Sequence, residues 1–255
     1  MTSWIISDLH LSAQRPAVTQ AFLHWLQTTV AEAKALYILG DFFEVWVGDD
    51  VLDDPEHGAE FLPVVQTLSQ LSARGVRLYG MHGNRDFLIG QRFAQACGMQ
   101  LLEDPALLEA GDKRILLTHG DALCTDDVAY QAFRTQVRNP QWQHTFLSQP
   151  LGARIAFADQ ARDQSRQSKA VQSMQIMDVN AEAVAGIIRQ YRYPDILLHG
   201  HTHRPAIHAL YIDGHACQRW VLGDWHDTAT VCSLDKSGLK ARILDLTRPI
   251  KNSAI

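Results

Sequence analysis

Five short apolar runs punctuate the first 200 residues: WII at 4–6, LYIL at 36–39, VRLYGM at 76–81, ILLT at 115–118 and ILL at 196–198. Uninterrupted runs of this length, bounded by turn residues, read as strands buried on both faces. Helical periodicity fills the gaps at 18–33 and 60–73, and Arg74-Gly75 after the second is a helix stop. Strand and helix in alternation predict an α/β sheet. Residues 206–246 change character. RWVLGDW, ATVCSLD and LKARILDL predict consecutive strands, an antiparallel all-β end. The stretch 123–173 is again helical, with DDVAYQAFRTQV and ARIAFADQARDQSRQSKAVQSMQ broken by Pro140 and Pro150. It is too long for a connection in a compact domain. The expectation is one domain over 1–255, with 123–173 inserted as a helical cap beside the site.

Each early run is followed at once by a polar signature. The order is Ser7-Asp8-Leu9-His10, Gly40-Asp41, His82-Gly83-Asn84-Arg85-Asp86, His119-Gly120-Asp121 and His199-Gly200-His201-Thr202-His203. Ligands of open α/β sheets bind beyond the carboxyl ends of the strands, so five such ends would gather these side chains at one edge. Carboxylate, imidazole and amide donors together suit Mn, Fe or Zn, and the donors are too many for one ion. Two ions clamp the attacking and leaving oxygens of a phosphoryl displacement. Asp41 is the natural bridge. Asp8, His10 and His203 would complete one ion, and Asn84, His119 and His201 the other. His82 and His199 are read as packing or supporting residues, and Asp86 and Asp121 as groups that orient neighbours. A surface or hydrogen-bonded role is expected for His24, His57, His144, His208, His215 and His226.

Composition narrows the class. The net charge of −5 argues against generic nucleic-acid binding, which needs a basic face. Cys97, Cys124, Cys217 and Cys232 form no Cys-x-x-Cys pair, as expected for reduced, buried thiols. The start, MTSWIISDLHLS, lacks a basic n-region, and no stretch approaches the ~20 apolar residues of a membrane span. A cytoplasmic location is expected.

Asp-x-His, Gly-Asp, Gly-Asn-x-Asp, His-Gly-Asp and Gly-His-x-His over residues 5–205 together resemble the calcineurin-like metallophosphoesterases. Longer stretches, among them ALYILGDFFEVWVGDD, HGNRDFLIGQRFA, LTHGDALCTDDVAYQAFR and HGHTHRPA, are similar to the branch that acts on UDP-2,3-diacylglucosamine in lipid A synthesis. The resemblance implies a four-layer αββα sandwich, two Mn2+ held by the seven residues above, and a helical lid over an acyl-chain pocket. It also implies a peripheral position on the cytoplasmic face of the inner membrane. The implied reaction is attack of a metal-activated hydroxide on the α-phosphorus, giving UMP and 2,3-diacylglucosamine 1-phosphate (lipid X). Asn84, Arg85 and His119 would take catalytic roles. Substrate contacts would fall on Asn84, Arg85, Asp127, Ser165, Lys169, Gln172 and His201, although the lysine stands one helical turn earlier than in some relatives. The insertion offers apolar surface in Trp142, Phe146, Leu147, Leu151, Ile155 and Phe157. Among these residues lie Arg134, Arg138, Arg154, Arg162, Arg166 and Lys169, which are expected to attract anionic lipid.

Two other classes compete. A phosphomonoesterase or nuclease of the same family would often carry histidine at position 85 to protonate an alkoxide. Arginine cannot donate that proton at neutral pH and suits a phosphate leaving group. A binding module that had lost catalysis would lack several ligands, whereas all seven are present.

Overall fold

The computed structural model describes residues 2–171 and 178–247, with the side chains of 164–171 outside the described set. In chain order the strands are β1 (Ser3–Ile6), β2 (Ala35–Leu39), β3 (Arg77–Met81), β4 (Met99–Leu101), β5 (Ala106–Ala110), β6 (Lys113–Thr118), β7 (Ile196–His199), β8 (Ala206–Ile212), β9 (His215–Val221), β10 (Thr228–Asp235) and β11 (Gly238–Asp245). The α-helices are α1 (Pro16–Trp25), α2 (Leu62–Ala73), α3 (Gln91–Cys97), α4 (Val128–Val137), α5 (Pro140–Leu147), α6 (Leu151–Val171) and α7 (Ala181–Gln190). The strands form two sheets, in the orders β11-β10-β1-β2-β3-β4 and β5-β6-β7-β9-β8.

Strand periodicity sorts the apolar residues into three cores. Trp4 and Ile6 of β1, with Leu36 and Ile38 of β2, pack against Phe22 of α1, Leu68 of α2 and Phe93 of α3. Ile5, Tyr37 and Leu39 point the other way and meet Ile115, Leu117 and Leu198 between the two sheets. Leu116 and Leu197 face outward onto Val184 and Ile188 of α7. The layers are therefore helix, sheet, sheet, helix, the αββα sandwich that the family resemblance implies. Strands covered on both faces need no polar alternation, which is why the motif-bearing strands read as unbroken apolar runs.

Three details differ from the sequence reading. The helical run at 18–33 is α-helical only to Trp25, and Leu26–Val30 forms a π-turn that buries both Leu26 and Val30. The strand β4 has only three residues, and β5 is a half-exposed edge strand, so neither stands out as a buried run. The C-terminal strands are not one antiparallel unit. The β8–β9 hairpin completes one sheet, with β9 parallel to β7, while the β10–β11 hairpin completes the other, antiparallel to β1. Hairpin pairing is local and legible, but the choice of sheet is a tertiary matter.

Backbone bonds draw the strand ends together. The amide of Asp8 donates to the Gly40 carbonyl (3.1 Å) and that of Gly200 to the His119 carbonyl (3.0 Å). The His119 ring, from one sheet, meets the Leu39 carbonyl of the other at 2.9 Å. The 123–173 stretch holds α4, α5 and α6. Of its basic residues, Arg154 is only 2 % exposed and forms an ion pair with Asp50 while donating to the Val47 carbonyl. It is thus an internal strut of the fold and not part of a lipid-facing surface.

Behind the site, Trp25 is 1 % exposed and packs edge-on to Trp4 (5.6 Å between centroids) and Trp225 (5.7 Å). Trp25→Ala should cost about 3–5 kcal/mol, measured by urea unfolding. A loss under ~1 kcal/mol would mean that α1 is not held by this cluster.

Candidate metal centre

The polar signatures meet in two groups. Asp8, His10 and His203 each offer a donor atom to one, and Asp41, His119 and His201 to the other. In the first, His203 Nε2 lies 3.3 Å from Asp8 Oδ1 and 3.3 Å from His10 Nε2. In the second, Asn84 Oδ1 lies 2.8 Å from His201 Nδ1 and 3.1 Å from His119 Nε2. Asp41 faces both, with Oδ2 3.7 Å from His10 Nε2 and Oδ1 3.7 Å from His119 Nε2. Ligand atoms about 2.1 Å from one ion stand about 3 Å apart. Two imidazole nitrogens turned toward each other across 3.3 Å, beside a fully buried carboxylate, are therefore a fitting donor set for a divalent ion.

The backbone is contorted to achieve this. Asp8, His10, Asp41, His201 and His203 all have positive φ, between 50° and 67°. Non-glycine residues seldom adopt this region, and it recurs at functional sites. Neighbouring glycines allow the approach. A Cβ on Gly83 would fall on the Asp41 backbone nitrogen, and one on Gly200 would fall on the Asp8 carboxylate.

Supporting contacts fix the rings. The Nδ1 of His119 faces the Leu39 carbonyl, and that of His10 lies 3.1 Å from Glu44 Oε2, which leaves each Nε2 turned inward. Asp86, fully buried, accepts from the amides of Phe42 and Gly83, both at 2.7 Å, and so ties the Asp41 and Asn84 loops together. The amide of Arg85 donates to Asp41 Oδ1 at 2.8 Å. His199 and His82 lie outside both groups: His199 Nδ1 meets the Gly200 carbonyl and His82 Nε2 the Ile89 carbonyl.

Charge follows geometry. Burial alone would raise the Asp8 carboxyl, but the hydrogen bond with His203 and the nearby imidazoles outweigh it and hold the carboxyl low. Burial likewise opposes a proton on His119, yet Asp41 and Asp8 prevail and push it up to about 9. His201, buried and next to His119, is pushed down to about 4. Burial raises Asp86, and the Asp41 charge adds to the effect. The centre thus sets buried carboxylates against imidazoles, a donor set suited to divalent cations.

Above it opens a cavity of about 460 Å³. Asn84, Arg85 and His201 line its base, and Trp46, Phe87, Trp142 and Phe157 belong to its apolar wall. Residues 1–205 match the family model for calcineurin-like phosphoesterase. The chain belongs to this family. A protein of Xanthomonas axonopodis pv. citri (strain 306) is 47% identical over 96% of this chain and 100% of its own length, and is named UDP-2,3-diacylglucosamine hydrolase. A protein of Aromatoleum aromaticum with the same name is 45% identical over 93% of this chain and 95% of its own length. The enzyme thus joins a phosphoesterase family with a site suited to two divalent ions.

Asp127 also lines the cavity, although its carboxylate caps α4 by accepting from the Tyr130 amide at 3.0 Å. The Ser165 and Lys169 side chains and all of Gln172 lie outside the described residues. Glu44 and Tyr130 were not singled out as site residues in the sequence. Glu44 stands three residues beyond Asp41, a spacing that offered a weak signal, and Tyr130 had none.

If two divalent ions occupy these groups, Asp41→Ala should lose both, while His203→Ala should weaken mainly one. Metal content after gel filtration reads this. Two ions retained by Asp41→Ala would rule out a shared carboxylate.

Proposed function

We propose that the enzyme hydrolyses the diphosphate of UDP-2,3-diacylglucosamine, with water adding to the α-phosphorus of the UDP group. UMP then carries the incoming oxygen, and 2,3-diacylglucosamine 1-phosphate leaves. The observation that carries this reading is a two-part donor set sharing Asp41 at the base of an apolar-walled cavity. The relatives' printed name supports the choice of substrate.

In this reading Asp8, His10 and His203 would hold one Mn2+, Asn84, His119 and His201 would hold the other, and Asp41 would serve both. Bound divalent ions make water acidic and neutralise phosphoryl oxygens. The chain's own residues supply the remainder. Arg85 follows Asn84 and lines the cavity. Its planar fork matches diphosphate oxygens and keeps its charge at working pH. It stabilises the charge that moves to the leaving phosphate, which needs no proton donor. Asn84, Asp127, Ser165, Lys169, Gln172 and His201 are the proposed contacts to the rest of the head group. The aromatic wall receives acyl chains, and helices α4 to α6 form the lid. The cytoplasmic face of the inner membrane is the proposed location. No helix among the described residues is long and apolar enough to cross a membrane. Instead, exposed Val128 (74 %), between two cavity-lining residues, and the cavity residue Phe157 (40 %) would rest on the lipid surface.

Purified enzyme with Mn2+ and UDP-2,3-diacylglucosamine should release UMP, and in 18O-water the label should appear in UMP. Label in the lipid product would reject α-attack. UDP-N-acetylglucosamine should be a very poor substrate, because each buried methylene contributes roughly 0.8 kcal/mol. Equal kcat/KM for the two would remove the acyl pocket from the reading.

Arg85→Ala should lower kcat about 100- to 1000-fold, as for other preorganised donors, with metal content unchanged. Arg85→Lys should recover part. Near-normal kcat at saturating Mn2+ would reduce Arg85 to a loop support.

A further inference from the structure

Helix α4 belongs to the stretch read as a cover, yet one of its faces points into the metal centre. Tyr130, Arg134 and Arg138 stand four residues apart, so they share that face. The Tyr130 hydroxyl donates to Asp121 Oδ2 at 2.5 Å, and Arg134 Nε donates to the same oxygen at 2.8 Å. Asp121 has no solvent exposure and stands two residues after His119. Arg138, 3.9 Å from the same oxygen, donates to the carbonyl of Gly83 at 2.8 Å, immediately before Asn84. The Tyr130 ring lies 6.0 Å from the His201 ring, with the planes 28° apart. Gln131 adds bonds to the Asp121 and Cys124 carbonyls. One helix face thus touches the loops that carry His119, Asn84 and His201. None of these contacts reaches Asp8, His10 or His203.

We propose that Tyr130, Arg134 and Arg138 are positioning residues. Through the buried Asp121 carboxylate and the Gly83 carbonyl, they hold the Asn84–His119–His201 half of the metal centre in register. This rests on the reading of that half as a metal site. The insertion is then a wall of the site's scaffold as well as a cover for the cavity. A buried carboxylate without partners is costly, so Asp121 requires the helix, and the helix is fastened where Asp121 stands.

The test is Mn2+ titration by calorimetry of the whole protein and of Tyr130→Phe, which removes one hydroxyl and keeps the ring. One of the two ions should bind about 10- to 100-fold more weakly, the usual effect of removing an outer partner of metal ligands. The other should be unchanged, and KM for lipid substrate at saturating Mn2+ should not move. Arg134→Met should act in the same direction, with partial recovery in Arg134→Lys. Unaltered affinity for both ions, or equal weakening of both, would overturn the proposal, as would a change confined to KM. Because the titration uses no substrate, its outcome is independent of whether the unsubstituted enzyme releases UMP.

Discussion

The structure turns on placing buried negative charge where nothing in the surrounding cores can neutralise it. Asp8, Asp41, Asp86 and Asp121 are all at most 2 % exposed, in the loops that follow β1, β2, β3 and β6. A lone carboxylate in such a place would take up a proton. Asp8 and Asp121 stay ionised despite burial because imidazoles and, for Asp121, two guanidiniums face them. Asp41 sits between the two imidazole groups and can be compensated from both sides. For Asp86, burial and the Asp41 charge outweigh the nearby His82 imidazole and push the carboxyl up. It serves as a hydrogen-bonding staple for two backbone amides and not as a ligand.

Holding charge in this way strains the backbone, and the sandwich supplies the stability to offset it. Five of the seven proposed ligands sit at positive φ, each at a cost of about 1–3 kcal/mol by general experience with such sites. The strands that precede them are buried on both faces, with Ile5, Ile6, Leu39, Leu197 and Leu198 all at 0 % exposure. The regular strands therefore end one to four residues before each proposed ligand. Loops of this kind carry function because a scaffold fixes their ends.

Legibility in the sequence follows from range. The motif-bearing strands were visible because double-sided burial writes an unbroken apolar run, and the donors were visible because each stands directly after one. The structure brings Asp8, His10 and His203 into one group and Asp41, His119 and His201 into the other, so the two histidines of the His-x-His turn face different groups, a division that motif spacing alone does not dictate. Contacts across long separations left no such trace. Arg154 looked like one more basic residue of an amphipathic insertion, yet it is buried against Asp50, 104 residues away. The assignment of the two C-terminal hairpins to different sheets was hidden for the same reason.

The 123–173 stretch shows how composition can mislead about direction. Its arginines read from the sequence as a surface for anionic lipid. In the fold, Arg134 pairs with Asp121, Arg138 with the Gly83 carbonyl, Arg154 with Asp50 and Arg162 with Glu44. Glu44 in turn stands beside His10. Four cations therefore point toward the body, while Val128, Leu147 and Phe157 are left exposed. Val137 and Phe146 are nonetheless buried and Trp142 packs against the core, so the stretch carries apolar residues on its inner side as well as its outer one. Charge fastens the insertion to the centre, and apolar side chains remain for whatever approaches from outside.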